Sequence, residues 1–191
     1  MSMVSASAPL LAQLADVDAD LLARAARVRL ACFDVDGTLT DGRLTVDADG
    51  VESKSFHVHD GQGLVLLRQA GVEVMLITAR RSAAAERRAG ELGAGVRTGI
   101  ADKLACVRGL AAERGIGLDA VAFMGDDLPD LAAMRASGLA LAPANAHPWT
   151  AAAAHWRTRA KAGKGAAREV CDLLLGARGW TPPALVDGGR A

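Results

Sequence analysis

The sequence predicts an α/β fold: a doubly wound parallel sheet of Rossmann type, with a small β-hairpin insertion and no cap domain. Three observations predict it. Short apolar, β-branched runs alternate with alanine-rich amphipathic segments, the pattern of βαβ units around a parallel sheet. Several of these runs end in polar residues, and such sheets gather their functional groups beyond the carboxyl ends of the strands. One segment, Gly42 to His59, breaks the alternation: Asp47-Ala48-Asp49-Gly50 separates two short alternating stretches, a hairpin signal.

Each element follows in chain order. Residues 1–28 read as an accessory helical segment, with the helix or helix pair inside Ala8 to Arg27. The main domain spans 29–179 and opens on a strand from Arg29 to Phe33. The hairpin, about 43–56, pairs Arg43 to Val46 with Val51 to Phe56, and His57 and His59 alternate at the end of its second strand. A helix from Gly63 to Ala70 leads to a strand from Glu73 to Thr78. A helix from Ser82 to Leu92 leads to a weaker strand from Gly95 to Thr98. The helix Lys103 to Arg114 precedes the strand Ala120 to Met124; the helix Leu128 to Ser137 precedes the strand Leu139 to Ala142; the last helix is Ala166 to Ala177. Gly71, Gly93, Gly115 and Gly138 stand where four helices end and a left-handed cap is wanted. The tail 180–191 holds two prolines and little periodicity, and reads as disordered.

Composition narrows the class of protein. The 191 residues carry 22 basic and 22 acidic side chains, so no basic field invites nucleic acid or a membrane surface. The apolar runs are far too short to cross a bilayer, and acidic Asp16, Asp18 and Asp20 argue against a secretory leader. Cys32, Cys106 and Cys171 are three, widely spaced and in no metal-ligand pattern. They read as free thiols, and the expected location is cytoplasmic.

The chemistry begins at Phe33-Asp34-Val35-Asp36-Gly37-Thr38. Alternate residues of a strand share a face, so Asp34 and Asp36 start out pointing together. Two buried like charges need a cation or a shared proton. Other strand ends add Thr78, then Asp126, Asp127 and Asp130, and Lys103 opens a helix that could reach the same edge. Asp34 and Asp126 with a few waters suit Mg²⁺, which takes few carboxylates, several waters and a phosphate oxygen. One carboxylate can attack phosphorus while its neighbour protonates the leaving oxygen and then activates water. Lys103 would neutralise the phosphate, and the Thr78 hydroxyl would hold its oxygens. An isolated Asp-x-Asp would read first as a helix cap beside a surface acid. The ordered set points to magnesium-dependent phosphoryl transfer. Asp127 and Asp130 would support the ligands or cap the helix at Leu128.

In order, Asp34-x-Asp36-Gly37-Thr38, Thr78, Lys103 and Gly125-Asp126-Asp127-x-x-Asp130 resemble the motifs of the haloacid dehalogenase superfamily of phosphatases. Thr40-Asp41-Gly42, Phe56-His57-Val58-His59-Asp60-Gly61, Ala146-His147-Pro148 and the stretch from Gly163 to Asp172 narrow the likeness to capless phosphatases of sugar-acid phosphates. That resemblance implies Asp34 as nucleophile and Asp36 as general acid and base. It implies Mg²⁺ held by Asp34, Asp126 and the main-chain carbonyl of Asp36, with Lys103 and Thr78 on the phosphate. The sugar-acid end of the substrate would meet Asp36, His57, Val58, His59, Asp60, Gly61, Arg80 and Arg88. It also implies a homotetramer whose hairpins join in a central barrel, with a glycine-rich lid, Gly163-Lys164-Gly165, reaching toward a neighbouring site.

The spacing agrees with a capless domain, because the hairpin and single helices fill the gaps between Asp36, Thr78 and Lys103. The chain departs from the family pattern at His59, Val65, Ala79 and Ala162, all on the sugar-acid side. The expected substrate is an eight-carbon sugar-acid phosphate of lipopolysaccharide synthesis. The alternatives are a nine-carbon acylneuraminate-type 9-phosphate or another sugar phosphate, and a non-catalytic phosphosugar-binding protein.

Overall fold

The computed structural model describes residues 17–180. The first part of the accessory segment, 1–16, and the tail residues 181–191 lie outside the described residues. Helix α1 spans Ala19–Arg27, capped by the Asp18 carboxylate, which accepts from Leu21 N–H at 2.8 Å. Strand β1 is Leu30–Phe33, and the hairpin strands are β2, Thr45–Val46, and β3, Glu52–Ser53. Then come α2 (Val58–Gln69), β4 (Glu73–Ile77), α3 (Ala83–Leu92), β5 (Gly95–Arg97) and α4 (Lys103–Glu113). The chain closes with β6 (Val121–Met124), α5 (Leu131–Ala136), β7 (Leu139–Ala142), α6 (Pro148–Ala151), β8 (Trp156–Arg157) and α7 (Ala166–Ala177).

Six parallel strands form one sheet in the order β5-β4-β1-β6-β7-β8. All four residues of β1 are buried, as expected for a central strand covered on both faces. Period-2 alternation then sorts its side chains. Ala31 and Phe33 join Val74, Leu76, Ala122 and Met124 under α1, α2, α3 and α7. Leu30 and Cys32 join Met75, Ile77, Val121 and Phe123 under α4 and α5. The connections run to β4 on one side of β1 and to β6 on the other, so strand order reverses at β1 and a crevice opens beyond its carboxyl end.

Four sequence expectations are corrected. The ladder of the hairpin is short, pairing Thr45 with Ser53 and Val46 with Glu52 only. Its turn is tied by the Asp47 carboxylate, which accepts from Asp49 and Val51 N–H. Helix α2 starts at Val58 and not at Gly63, so His57 is its N-cap and His59 lies in its first turn, neither on a strand. Gly61 and Gly63 both lie inside this helix, where a Cβ at Gly61 would strike the Arg88 guanidinium and one at Gly63 would press on Arg168 and Cys171. Gly138 is no left-handed cap: its N–H donates to Leu118 O at 2.7 Å, and a Cβ there would run into the backbone of Asp119. Finally, β8 adds a sixth strand beside β7, two residues long and so without a period to read.

Candidate active site

The carboxyl ends of β1, β4 and β6, with the start of α4, enclose a cleft of about 290 Å³ lined by Asp34, Asp36, Thr78, Arg80, Lys103, Asp126, Asp127 and Asp130. Asp34 continues β1, its N–H donating to Met124 O at 2.9 Å. The chain then curls, with Val35 O accepting from Leu39 and Thr40 N–H. Gly37 permits this turn with φ at 89°, and its missing side chain leaves room for the Asp126 carboxylate, which a Cβ would overlap.

Lys103 is the hub of the cleft. Asp102 caps α4 by accepting from Ala105 N–H at 2.9 Å, and this sets Lys103 as the first helical residue. Its Nζ donates to Asp34 Oδ1 and to Asp130 Oδ1, both at 2.5 Å, with the Lys103 side chain 3% exposed. Asp130 Oδ2 in turn accepts from the N–H groups of Asp126 and Asp127, at 3.0 and 3.3 Å. Asp127 caps the following turn through Leu128 N–H and shares a reciprocal capping box with Asp130. Asp130 thus ties the ammonium to the loop that carries Asp126.

Asp34, Asp126 and Asp130 bring carboxylate oxygens within 4.8 Å of one another. Burial, then Asp130, pushes the Asp34 carboxyl up to about 8 against the pull of Lys103. Burial and Asp130 likewise raise Asp126 to about 6. Burial would lower Lys103, but Asp34 and Asp130 outweigh it and hold it raised, so the ammonium stays charged. One cation among three carboxylates leaves two negative charges uncompensated, which is the electrostatic demand a divalent ion satisfies. Asp130 spends both oxygens on protein donors, whereas Asp34 gives one oxygen to Lys103 and Asp126 gives one to the Thr38 hydroxyl at 3.2 Å. Two carboxylates that each keep an oxygen for a further partner suit Mg²⁺, so the residues present fit that ion.

Asp36 stands beside this cluster. Its Oδ2 accepts from the Thr78 hydroxyl at 3.4 Å, and its Oδ1 pairs with Lys54, whose side chain is 1% exposed. Sequence reasoning missed Lys54 and Glu52. Their signal was the alternation after Val51, which puts both on one face of the short β3 ribbon. Glu52 pairs in turn with Arg80 on the rim of the cleft.

The other sequence-predicted contacts fall elsewhere on the chain. His57, His59, Lys164 and Gly165 line a separate hollow of about 520 Å³ with Arg157 and Arg168. Val58 points outward, 76% exposed. Asp60 is 2% exposed and caps the last helix, its oxygens accepting from Arg168 and Gly165 N–H at 2.8 and 3.3 Å. Gly61 and Arg88 meet in a third hollow, the Arg88 guanidinium 5.9 Å from the Phe56 ring and bonded to Glu91. Gly163 donates to Thr38 O at 3.3 Å, which lays the glycine-rich segment against the back of the β1 loop.

The chain is similar to known proteins over most of its length. Residues 96–170 match the haloacid dehalogenase-like hydrolase family. The 3-deoxy-D-manno-octulosonate 8-phosphate phosphatase KdsC of Yersinia pestis is 43% identical over 82% of this chain and 84% of its own length. A hypothetical protein of Xanthomonas campestris superposes with a TM-score of 0.90 at 57% identity, covering 93% of this chain and 97% of that one. The Moraxella catarrhalis 3-deoxy-D-manno-octulosonate 8-phosphate phosphatase, solved with magnesium, phosphate and KDO, gives a TM-score of 0.82 at 41% identity over 84% of this chain and 92% of that one.

Proposed function

We infer that this chain, which belongs to the 3-deoxy-D-manno-octulosonate 8-phosphate phosphatases among the haloacid dehalogenase-like hydrolases, releases phosphate from that eight-carbon sugar-acid phosphate in lipopolysaccharide synthesis. The observation that carries this is the Lys103 hub, which sets Asp34 at the end of the central strand with Asp126 and Asp36 beside it. A magnesium ion held by the carboxylates of Asp34 and Asp126 and the main-chain carbonyl of Asp36 would neutralise the charge of the incoming phosphate.

The residues then act in two halves. A carboxylate oxygen of Asp34 attacks phosphorus, the bond from phosphorus to the sugar oxygen breaks, and its electron pair leaves on that oxygen, which takes a proton from Asp36. Asp36, now anionic, draws a proton from water as the water oxygen attacks the phosphorus of the Asp34 phosphate. The bond to Asp34 breaks and phosphate departs. Lys103 and Thr78 hold the non-bridging oxygens through both halves.

We also place the protein in the cytoplasm as a homotetramer joined through its hairpins. Three free cysteines support the first, and no described helix is long and apolar enough to cross a membrane. Leu44, Val46 and Val51 of the hairpin, each more than half exposed, support the second. So does the placement of His57 to Gly61, Arg88 and the Gly163 to Gly165 lid outside the chain's own cleft. From there His57, His59 and Lys164 could reach the sugar-acid end of a substrate bound by a neighbouring copy, while buried Asp60 holds the lid side of α7 in place. The reading is tested by phosphate release from the eight-carbon substrate, with and without Mg²⁺, in wild type and Asp34→Asn.

A further inference from the structure

The hairpin brings a buried ammonium, which the two half-reactions do not use, onto Asp36 at the edge of the cleft. Lys54 follows β3 directly and its side chain is 1% exposed, although its neighbours Ser53 and Ser55 are exposed. Its Nζ pairs with Asp36 Oδ1 and lies 2.6 Å from Glu52 Oε1. A lysine on a two-residue ribbon would ordinarily extend into water, where an ion pair contributes little. Here the stem is covered and the charge is delivered onto the one carboxyl that the mechanism needs to aim. Oδ2 faces the Thr78 hydroxyl at 3.4 Å, a long contact whose single proton turns to the phosphate when substrate binds, so Lys54 is the partner that stays on Asp36.

We propose that Lys54 is a positioning residue of the phosphatase site, whose ammonium aims the Asp36 carboxyl at the leaving-group oxygen. This rests on the function proposed above. A protonated carboxyl keeps an acceptor oxygen, so Lys54 can stay on Oδ1 whether Asp36 holds its proton or has given it up. The hairpin thereby becomes part of the catalytic apparatus: Glu52 grips Lys54 and Arg80 together, so the ribbon, the acid/base group and the rim of the cleft form one linked unit.

The role predicts a dependence on the leaving group. A sugar alkoxide is a poor leaving group and needs the proton of Asp36, whereas a nitrophenolate departs without one. The test compares kcat/KM, which covers the steps through phosphorus–oxygen cleavage, for 3-deoxy-D-manno-octulosonate 8-phosphate and 4-nitrophenyl phosphate in wild type and Lys54→Met. The expected loss on the sugar phosphate is on the order of 10- to 100-fold, within the range of general acid catalysis. The loss on the nitrophenyl ester should be at least about tenfold smaller. Equal losses on both substrates, or none on the sugar phosphate, would overturn the proposal. A wild-type enzyme inert toward both would overturn the phosphatase reading itself. Acylation of the metal-free protein gives an independent readout. Lys54 should be labelled far more slowly than the exposed Lys161, and faster in Asp36→Asn; labelling as fast as Lys161 in wild type would also overturn it.

Discussion

Asp34, Asp126 and Asp130 crowd one buried ammonium, and this imbalance governs how the protein responds to pH and metal. Burial and mutual repulsion raise Asp34 to about 8 and Asp126 to about 6. The folded protein therefore holds protons that the unfolded chain, with ordinary carboxyls, has already released. Stability of the metal-free protein falls as pH rises from about 4 toward these folded values, because the native state is the one binding more protons. Thermal melts of metal-free protein should show that fall between about pH 5 and 8. Asp126→Asn should make it shallower, and Mg²⁺ should stabilise more at the upper end; a midpoint that climbs with pH in wild type but not in Asp126→Asn would contradict this. At this scale much of the site is legible in sequence, since carboxylates at strand ends are costly and so conspicuous. Lys54 is not. A lysine in a polar ribbon looks like any solvated lysine until the fold turns its face onto Asp36.

The elements that carry these residues are fixed by packing that single residues reveal only in context. Strands read well because their apolar runs are continuous and buried on both faces, β1 and β7 most clearly. The start of helix α2 reads poorly, because His57 and His59 alternate like the end of a strand, and Gly61 serves closeness to α3 as Gly63 serves closeness to α7. At Gly63, a Cβ would stand 3.0 Å from each of Arg168 Cδ, Cys171 Cβ and Cys171 Sγ. Gly63→Ala gains about 1 kcal/mol of helix propensity but overpacks the contact of α2 with α7, at about 1–3 kcal/mol. The packing term prevails where both helices are pinned, and Asp60 pins α7 to α2 through two hydrogen bonds. Denaturant unfolding should find Gly63→Ala less stable by up to about 2 kcal/mol; a more stable variant would mean that the helices can part freely.

Across the whole molecule, the sheet brings the phosphate machinery, with Asp36 and Arg80, into one cleft and leaves His57, His59, Asp60, Gly61 and Arg88 in two other hollows. Sequence order carries the first fact, because strand ends in a doubly wound sheet share an edge. It cannot carry the second, which depends on where α2 starts and which face it turns to α7. The proposed tetramer, which would bring His57, His59 and the Gly163 to Gly165 segment to a neighbour's cleft, would reconcile the two. Light scattering should then give a mass near four times the 19.6 kDa chain, and Val46→Asp on the exposed hairpin face should lower it; a wild-type mass of one chain would remove the shared site.

The phosphatase assignment stands or falls on phosphate release from 3-deoxy-D-manno-octulosonate 8-phosphate beside an acylneuraminate 9-phosphate and simple hexose phosphates, with Mg²⁺, for wild type and Asp34→Asn. The expected result is strong preference for the eight-carbon acid, dependence on the metal and near-complete loss in Asp34→Asn. Turnover by Asp34→Asn comparable to wild type would contradict the assignment of the nucleophile, and preference for another substrate would contradict the assignment of the sugar acid.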